Sequence, residues 1–516
     1  MDRMHWTTGA MLLALCAEAQ PAQSSREPGR REREEAAYRV TRADLPPEVT
    51  LEVGGLALVD PPRGAREGDG PRVVAVTRRG EVWGIDGFAG LAPNATPTAT
   101  LLAEGLHEPL GLLMSEDGTL VTACRSELAR LVDRDGDGRY ERQETVADGW
   151  RVSGNYHEYN FGPALGVDGS HWITTNKPFG DQPFGRVDWR GYALRIAPDG
   201  TWSPMCAGLR SPAGIEVAPW GEAFYTDNQG EWCGASKLSL LAPGTYHGHP
   251  HGIASTEDPR WRWSRPRELP EGWTYARVLD SERFPRFQMP TIWFPYDKMG
   301  RSPAGFVWDT TGGRFGPFPG QIFVADQYEA AVFRVSLERV GPHWQGACYR
   351  FREGLSCGAV RLAFTPSGAL LVGESARGWG SRGALDEGLE RIDWTGELPF
   401  EIKTMSLLED NSGFALRFTM DVDVRSASAE TSYSIQSYTY AATESYGSPE
   451  LDARPHDVLG TRLHDDGRGV DLTVDGLRRG YVFELHAEGV RRGRGGPGLL
   501  HQRAFYTLGA LHQRPR

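Results

Sequence analysis

A short phrase recurs along this chain, and its spacing limits the folds open to it. The first copy is GLHEPLGLLMSEDGTLVTA, from Gly105 to Ala123. Variants begin at Phe161, Gly208, Ser302 and Cys357. Each has a small-residue turn, an alternating apolar run, a Gly-containing turn and a second apolar run ending in a polar residue. Gly111, Gly162, Gly214, Gly305 and Gly358 are equivalent, at steps of 51, 52, 91 and 53 residues. Paired short strands repeating at about 50 residues are expected of β-propeller blades. With the hairpin PRVVAVTRRGEVWGID from Pro71, the count is about six units, and ring closure removes their exposed edges. The chain is therefore read as all-β, with a six-bladed β-propeller over residues 41–396.

The long step holds an insertion from about His247 to Arg286, rich in Pro, Trp and charge, expected over one propeller face. After Thr395 the phrase stops. Alternating runs such as GVDLTVDGL and GYVFELHAEGV follow, with turns every ~10 residues. Residues 397–511 are expected to form a C-terminal β-sandwich of immunoglobulin or fibronectin type.

Composition agrees with this class. There are 64 glycines, 35 prolines, 16 tryptophans and 17 tyrosines in 516 residues, which suits turn-rich strands. The net charge of −12 argues against nucleic acid as a partner. Arg3, the apolar run Met11–Leu15 and Ala17-Glu18-Ala19 fit a signal peptide over 1–19, so export to the periplasm or beyond is expected. Cys16 follows bulky Leu15, which disfavours lipid anchoring. Residues 20–40 read as a charged, flexible leader. No other stretch approaches the ~20 apolar residues of a membrane span.

Five cysteines remain after such a leader: Cys124, Cys206, Cys233, Cys348 and Cys357. Cys348 and Cys357 could pair, and an odd count leaves a free thiol. There is no C-x-x-C-H, so no covalent haem is expected.

The strongest local motif runs from Asp133 to Glu144. Asp133, Asp135 and Asp137 occupy alternate positions, Gly138 follows, Arg139 offers a carbonyl, and Glu141 and Glu144 complete a twelve-residue calcium loop. Short carboxylates one residue apart can wrap one hard cation, and the expected role is structural. TYHGHPHG carries His247, His249 and His251, but Gly and Pro separate them and no carboxylate is adjacent. They are read as loop residues rather than a metal site.

Two further groups fall where polar residues crowd a propeller's central mouth. His157, in GNYHEYNFG, precedes a blade strand and can act as a base near neutral pH. Arg210 begins another strand, and Asp227, Asn228 and Glu231 follow its partner strand. Lys298 and Arg301 precede a third and could meet an anion.

The order His157-x(8)-GVDG, GLRSPAGI from Gly208, YTDNQGE from Tyr225 and TYHGHP from Thr245 resembles the glucose/sorbosone dehydrogenase family. GNYHEYNFG, FYTDNQGEW, DKMGRSPAGF, ADQYEAAVFRV and PFEIKTM more closely resemble large secreted propeller proteins of planctomycetes and verrucomicrobia, known as membrane-bound dehydrogenases. That likeness covers roughly residues 40–511. It implies a six-bladed, calcium-containing propeller using pyrroloquinoline quinone, with a sugar or polyol as substrate and an external acceptor, such as a cytochrome c, for the electrons. It implies His157 as catalytic base, Arg210 beside the quinone, and Lys298, Asp227, Asn228 and Glu231 near the cofactor. Ser211 stands where the family usually has asparagine. Asp326-Gln327-Tyr328-Glu329-Ala330 stands where later cofactor arginines are expected. Those departures favour an alternative, a non-catalytic propeller that binds polysaccharide or a partner protein.

Overall fold

The repeat glycines stand where neighbouring blades come closest. In this computed structural model, which describes residues 29–513 except 63, 66–67, 94, 116 and 181–186, a Cβ on Gly111 would lie 2.1 Å from the carbonyl oxygen of Gly162. One on Gly214 would lie 2.2 Å from that of Ala304. The repeat thus preserves backbone-to-backbone clearance around an axis. Gly55, unrecognised in the sequence, is the first member, since its Cβ would meet Gly111 at 2.4 Å.

Six sheets surround that axis. Their inner strands are Val53–Val59, Leu112–Met114, Asn160–Leu165, Pro212–Val217, Pro303–Trp308 and Ala359–Phe364. Each packs beside the next, and the last packs beside the first. Five of the six carry a β-bulge near the start, at Val53/Gly55, Phe161/Ala164, Pro212/Gly214, Pro303/Phe306 and Ala359/Arg361. Bulges bend a strand and re-aim its side chains, so this end of the ring is irregular.

The sixth sheet is closed by the chain's own beginning. Tyr38–Arg42 pairs antiparallel with Glu387–Trp394 as its outermost strand. The flexible leader expected over 20–40 is therefore corrected for its second half. Residues Arg30–Ala37 form a helix and the closing strand follows. The helix is highly charged, but its inner face is anchored: Glu34 is 2% exposed and meets Arg352 at 3.3 Å and His501 at 3.1 Å. The expected signal segment 1–19, Cys16 and residues 20–28 lie outside the described residues.

Beyond residue 397 the strands Ile402–Leu407, Gly413–Phe418, Gly469–Val474 and Val458–Leu463 form one sheet. The other four strands continue the fifth blade. His343–Glu353 pairs with Arg503–Leu508, and Tyr481–His486, Ser434–Thr439 and Leu451–His456 extend the sheet to eight strands. A core including Phe414, Leu416, Leu472, Phe483 and Tyr506 lies between the two layers. Hydrogen bonding thus crosses the boundary drawn near 397. The insertion is not a loose cover either. Trp261, Leu269 and Tyr275 are buried, and Thr274 bridges Ala441 of the C-terminal module.

The five cysteines among the described residues are buried and free, so Cys348 and Cys357 do not pair. Among the described residues no helix is long and apolar enough to cross a membrane.

Candidate functional site

At the bulged end of the ring lies a cavity that opens to solvent. His157, Arg210 and Asn228 line it, as do five arginines in all: Arg78, Arg210, Arg301, Arg361 and Arg377. None of the described lining side chains is a carboxylate. The charged side chains that line the mouth are thus cationic, in a protein of net charge −12.

The arginines are fixed from behind. Arg78 meets Glu108 at 2.6 Å and Arg377 meets Glu52 at 2.7 Å. Arg301 meets Asp297 at 2.7 Å and lies over the rings of Tyr296 and Tyr328. Arg361 differs. It donates to the carbonyls of Leu110 (3.1 Å), Ala213 (3.0 Å) and Val360 (2.6 Å), which belong to three blades. Burial and then the charge of Arg78 push its pKa down to about 10. The charge of Glu216, on the inner strand Pro212–Val217, opposes that shift, so the buried cation rests on three carbonyls and the field of this carboxylate.

Arg210 is held along its length. Its backbone N–H donates to Asp227 Oδ2 (3.2 Å) and that of Ser211 to Asp227 Oδ1 (2.7 Å). Its Nε donates to Glu231 Oε2 at 2.7 Å. Gly230 leaves room for this pair, since a Cβ there would lie 1.9 Å from Arg210 Nε. Burial alone would raise the Glu231 carboxyl, but Arg210 and Lys177 hold it down at about 2. Buried polar atoms of the lining without a hydrogen-bond partner include Arg210 Nη2, Asn176 Oδ1 and Asn228 Oδ1.

His157 sits beside this arginine. Its Nδ1 is 3.1 Å from the carbonyl of Lys177 and its Nε2 is 3.2 Å from Ser211 Oγ. A carbonyl only accepts, so Nδ1 carries the proton and Nε2 keeps its lone pair. Burial, then the charge of Arg210, lowers the ring pKa to about 3, so the imidazole is neutral at physiological pH.

The other expected residues fall elsewhere. Lys298 does not reach the cavity; it lies between Glu450 (2.8 Å) and Glu484 (2.7 Å) and ties the fifth blade to the C-terminal module. Asp227 is fully buried and acts as scaffold for Arg210 and Ser211. Glu231 is Arg210's counter-ion rather than a lining residue. Arg78, Arg301, Arg361 and Arg377 reach the cavity from positions outside the Asp326–Ala330 run. Arg361 had a signal, a charge inside the apolar run GAVRLAF, whereas Arg78 and Arg377 follow strand ends and look like ordinary loop residues.

Asp133, Asp135, Asp137 and Glu141 bring carboxylate oxygens within 4.8 Å of one another, in the turn before the strand Arg142–Asp148. Glu144 is not among them. It lies on that strand and meets Arg142 at 3.2 Å, so Glu141 takes the place expected for it. The backbone of Arg139 donates to Asp137 Oδ1 at 2.8 Å. His247 and His249 are buried separately, on Tyr225 and on the backbone of His251.

Residues 95–258 match a family described as a domain of unknown function (DUF7133). No curated protein sequence matches the chain. Similar solved structures include an oxidoreductase (glucose dehydrogenase) of Thermus thermophilus, 20% identical over 69% of this chain and 99% of that one, with a TM-score of 0.46. The PQQ-bound aldose sugar dehydrogenase of Streptomyces coelicolor is 16% identical over 69% and 98%, TM-score 0.45. The apo soluble aldose sugar dehydrogenase of Escherichia coli is 14% identical over 69% and 99%, TM-score 0.42.

Proposed function

We propose that this propeller is an oxidoreductase that removes hydrogen from a carbohydrate or polyol hydroxyl at the mouth of its ring, using pyrroloquinoline quinone. The observation that carries the reading is a neutral histidine with an oriented lone pair inside a cavity lined by five arginines and, among the described residues, no carboxylate.

The lining fits the group. Pyrroloquinoline quinone is a flat tricarboxylate, and Arg361, Arg377, Arg78 and Arg301 would hold its carboxylates. The unpaired Nη2 of Arg210 and the unpaired amide oxygens of Asn176 and Asn228 are polar atoms still lacking a partner. Bound there, the quinone would supply the hydride acceptor, with its electrons going on to an external acceptor such as a cytochrome c.

The chain's own residues do the rest. The Lys177 carbonyl keeps the proton on Nδ1 and so leaves Nε2 as the acceptor for a substrate hydroxyl proton. Ser211 holds Nε2 until substrate displaces it. Arg210 faces the oxygen that gains negative charge as the proton leaves, in a site partly shielded from water. A calcium ion in the Asp133–Glu141 turn belongs to the same reading, as a structural element away from the chemistry.

The test is reconstitution with pyrroloquinoline quinone and calcium, followed by dye reduction over a sugar panel. Quinone uptake with sugar-dependent reduction, abolished in His157→Ala, is expected. Saccharide binding without quinone uptake would instead support the non-catalytic binder.

A further inference from the structure

Five large aromatic side chains are exposed among the described residues: Tyr156 (54%), Phe179 (39%), Trp220 (45%), Trp379 (44%) and Tyr446 (50%). Four of them, all but Trp220, line the mouth of the arginine-lined cavity. Apolar area of this size is normally buried, so its concentration at a mouth marks a contact surface.

Tyr446 is the informative member, because it does not belong to the propeller. It comes from the C-terminal module, on a turn bonded to the loop that serves Arg210. Trp232 N–H donates to Thr443 O (2.7 Å), Gly447 N–H to Gly230 O (3.1 Å) and Ser448 N–H to Gly234 O (2.9 Å). Gly447 has φ 72°, and a Cβ there would lie 2.6 Å from the side chain of Gln229. The turn is therefore seated in one place. It sets the Tyr446 ring 5.2 Å from the Arg210 guanidinium, which is also 5.8 Å from the ring of Phe179. Arg210 thus has aromatic faces on two sides and Glu231 as its counter-ion.

We propose that the C-terminal module is part of the substrate site, and that Tyr446 is a specificity-determining residue that stacks a saccharide ring of an oligosaccharide chain end. A pyranose ring presents a face of C–H groups, which packs on an aromatic face while its hydroxyls stay at the edge. The rim rings are exposed, whereas His157 is half-buried within the mouth. The ring stacked on Tyr446 is therefore the neighbour of the ring whose hydroxyl reaches Nε2. A free monosaccharide satisfies one of these positions and a chain end satisfies both. The inference rests on the proposed function for the reacting hydroxyl, but saccharide binding itself needs no cofactor.

The experiment is calorimetric titration of the full, quinone-free chain with cellotriose, maltotriose, laminaritriose and glucose. At least one trisaccharide should bind about tenfold or more tighter than glucose. Tyr446→Ala should lower that affinity about tenfold without changing the affinity for glucose, and Tyr446→Phe should restore it. Trp379→Ala, on a separate loop, should weaken the same trisaccharide and guards against a local defect in the 443–449 turn. No trisaccharide preference, or equal losses for glucose and trisaccharide in Tyr446→Ala, overturns the proposal. Trisaccharide binding without quinone uptake leaves it standing and removes the oxidoreductase reading. Quinone uptake and glucose oxidation without chain-length preference does the reverse.

Discussion

His157 Nε2 lies 3.2 Å from Ser211 Oγ, a hydrogen bond between the approach to the third blade and the residue before the first strand of the fourth. With Nδ1 committed to the Lys177 carbonyl, Ser211 donates and the ring is neutral. The sign of the pH effect follows. The lone pair is present at neutral and moderately acid pH and is lost only as pH falls toward about 3, because burial and the charge of Arg210 oppose protonation. NMR titration of the quinone-free protein should show one histidine, missing in His157→Gln, that stays neutral down to about pH 4. Titration near the ordinary histidine value of ~6.5 would contradict the placement. In loaded protein, His157→Ala should cost roughly 10²–10⁴ in kcat.

The carboxylate turn gives a prediction that separates two glutamates. Calcium should raise the melting temperature of the wild type, and Asp133→Asn or Asp135→Asn should abolish that rise. Glu141→Gln should weaken the calcium response, whereas Glu144→Gln should leave it intact, because Glu144 meets Arg142 on the next strand. The opposite pattern would restore the twelve-residue loop expected from spacing.

His501 bridges Glu401 (2.6 Å) and Glu34 (3.1 Å), joining the C-terminal module to the helix that precedes the closing strand. Burial favours the neutral ring, but the two carboxylates outweigh it and raise its pKa. Burial would likewise raise the pKa of Glu34, and its bond and charge contact with His501 lower it instead. The contribution of His501 is therefore complete below ~6.5 and is lost as pH rises through its raised value. That of Glu34 is complete above its ordinary value of 4.5 and is lost as pH falls through its lowered one. Urea unfolding should show His501→Ala less stable by about 3 kcal/mol at pH 6, because buried Glu401 loses its ion-pair partner while Glu34 keeps Arg352. The deficit should shrink at high pH.

Close approach around the axis predicts a cost for any side chain there. Gly111→Ala places a methyl group 2.1 Å from the Gly162 carbonyl at φ 148°, and should lower stability by about 1–3 kcal/mol. Gly105→Ala tests the argument from outside the axis. It also has positive φ, 91°, but no atom within 4 Å, so its loss should be smaller. Equal losses would mean that strain, not blade contact, explains the repeat.

The architecture was legible because its cause is periodic: one glycine per blade, where strands nearly touch. Gly55 escaped notice because its surroundings, VGGLALV, lack the turn that precedes the other copies. His157 and Arg210 were legible from their place before inner strands. Lys298 had the same kind of place, yet its stem turns toward Glu450 and Glu484, partners more than a hundred residues away that no local pattern encodes. Arg78 and Arg377 were hidden for the converse reason. Each follows a strand end as an ordinary turn residue does, and only closure of the ring brings them to one cavity. Tyr446 lies in a segment that reads as a separate domain, so its arrival at the mouth depends on how the fifth blade's sheet is extended.

The arginine-lined mouth is proposed to hold an anionic quinone. This is tested most directly by titrating pyrroloquinoline quinone into the full-length protein with calcium present, for the wild type, Arg361→Gln and Arg377→Ala. Saturable binding at one site is predicted, weakened at least tenfold by either substitution, with Arg377→Ala keeping the wild-type melting temperature. Absence of saturable binding in the wild type, or binding unchanged in both variants, would contradict it.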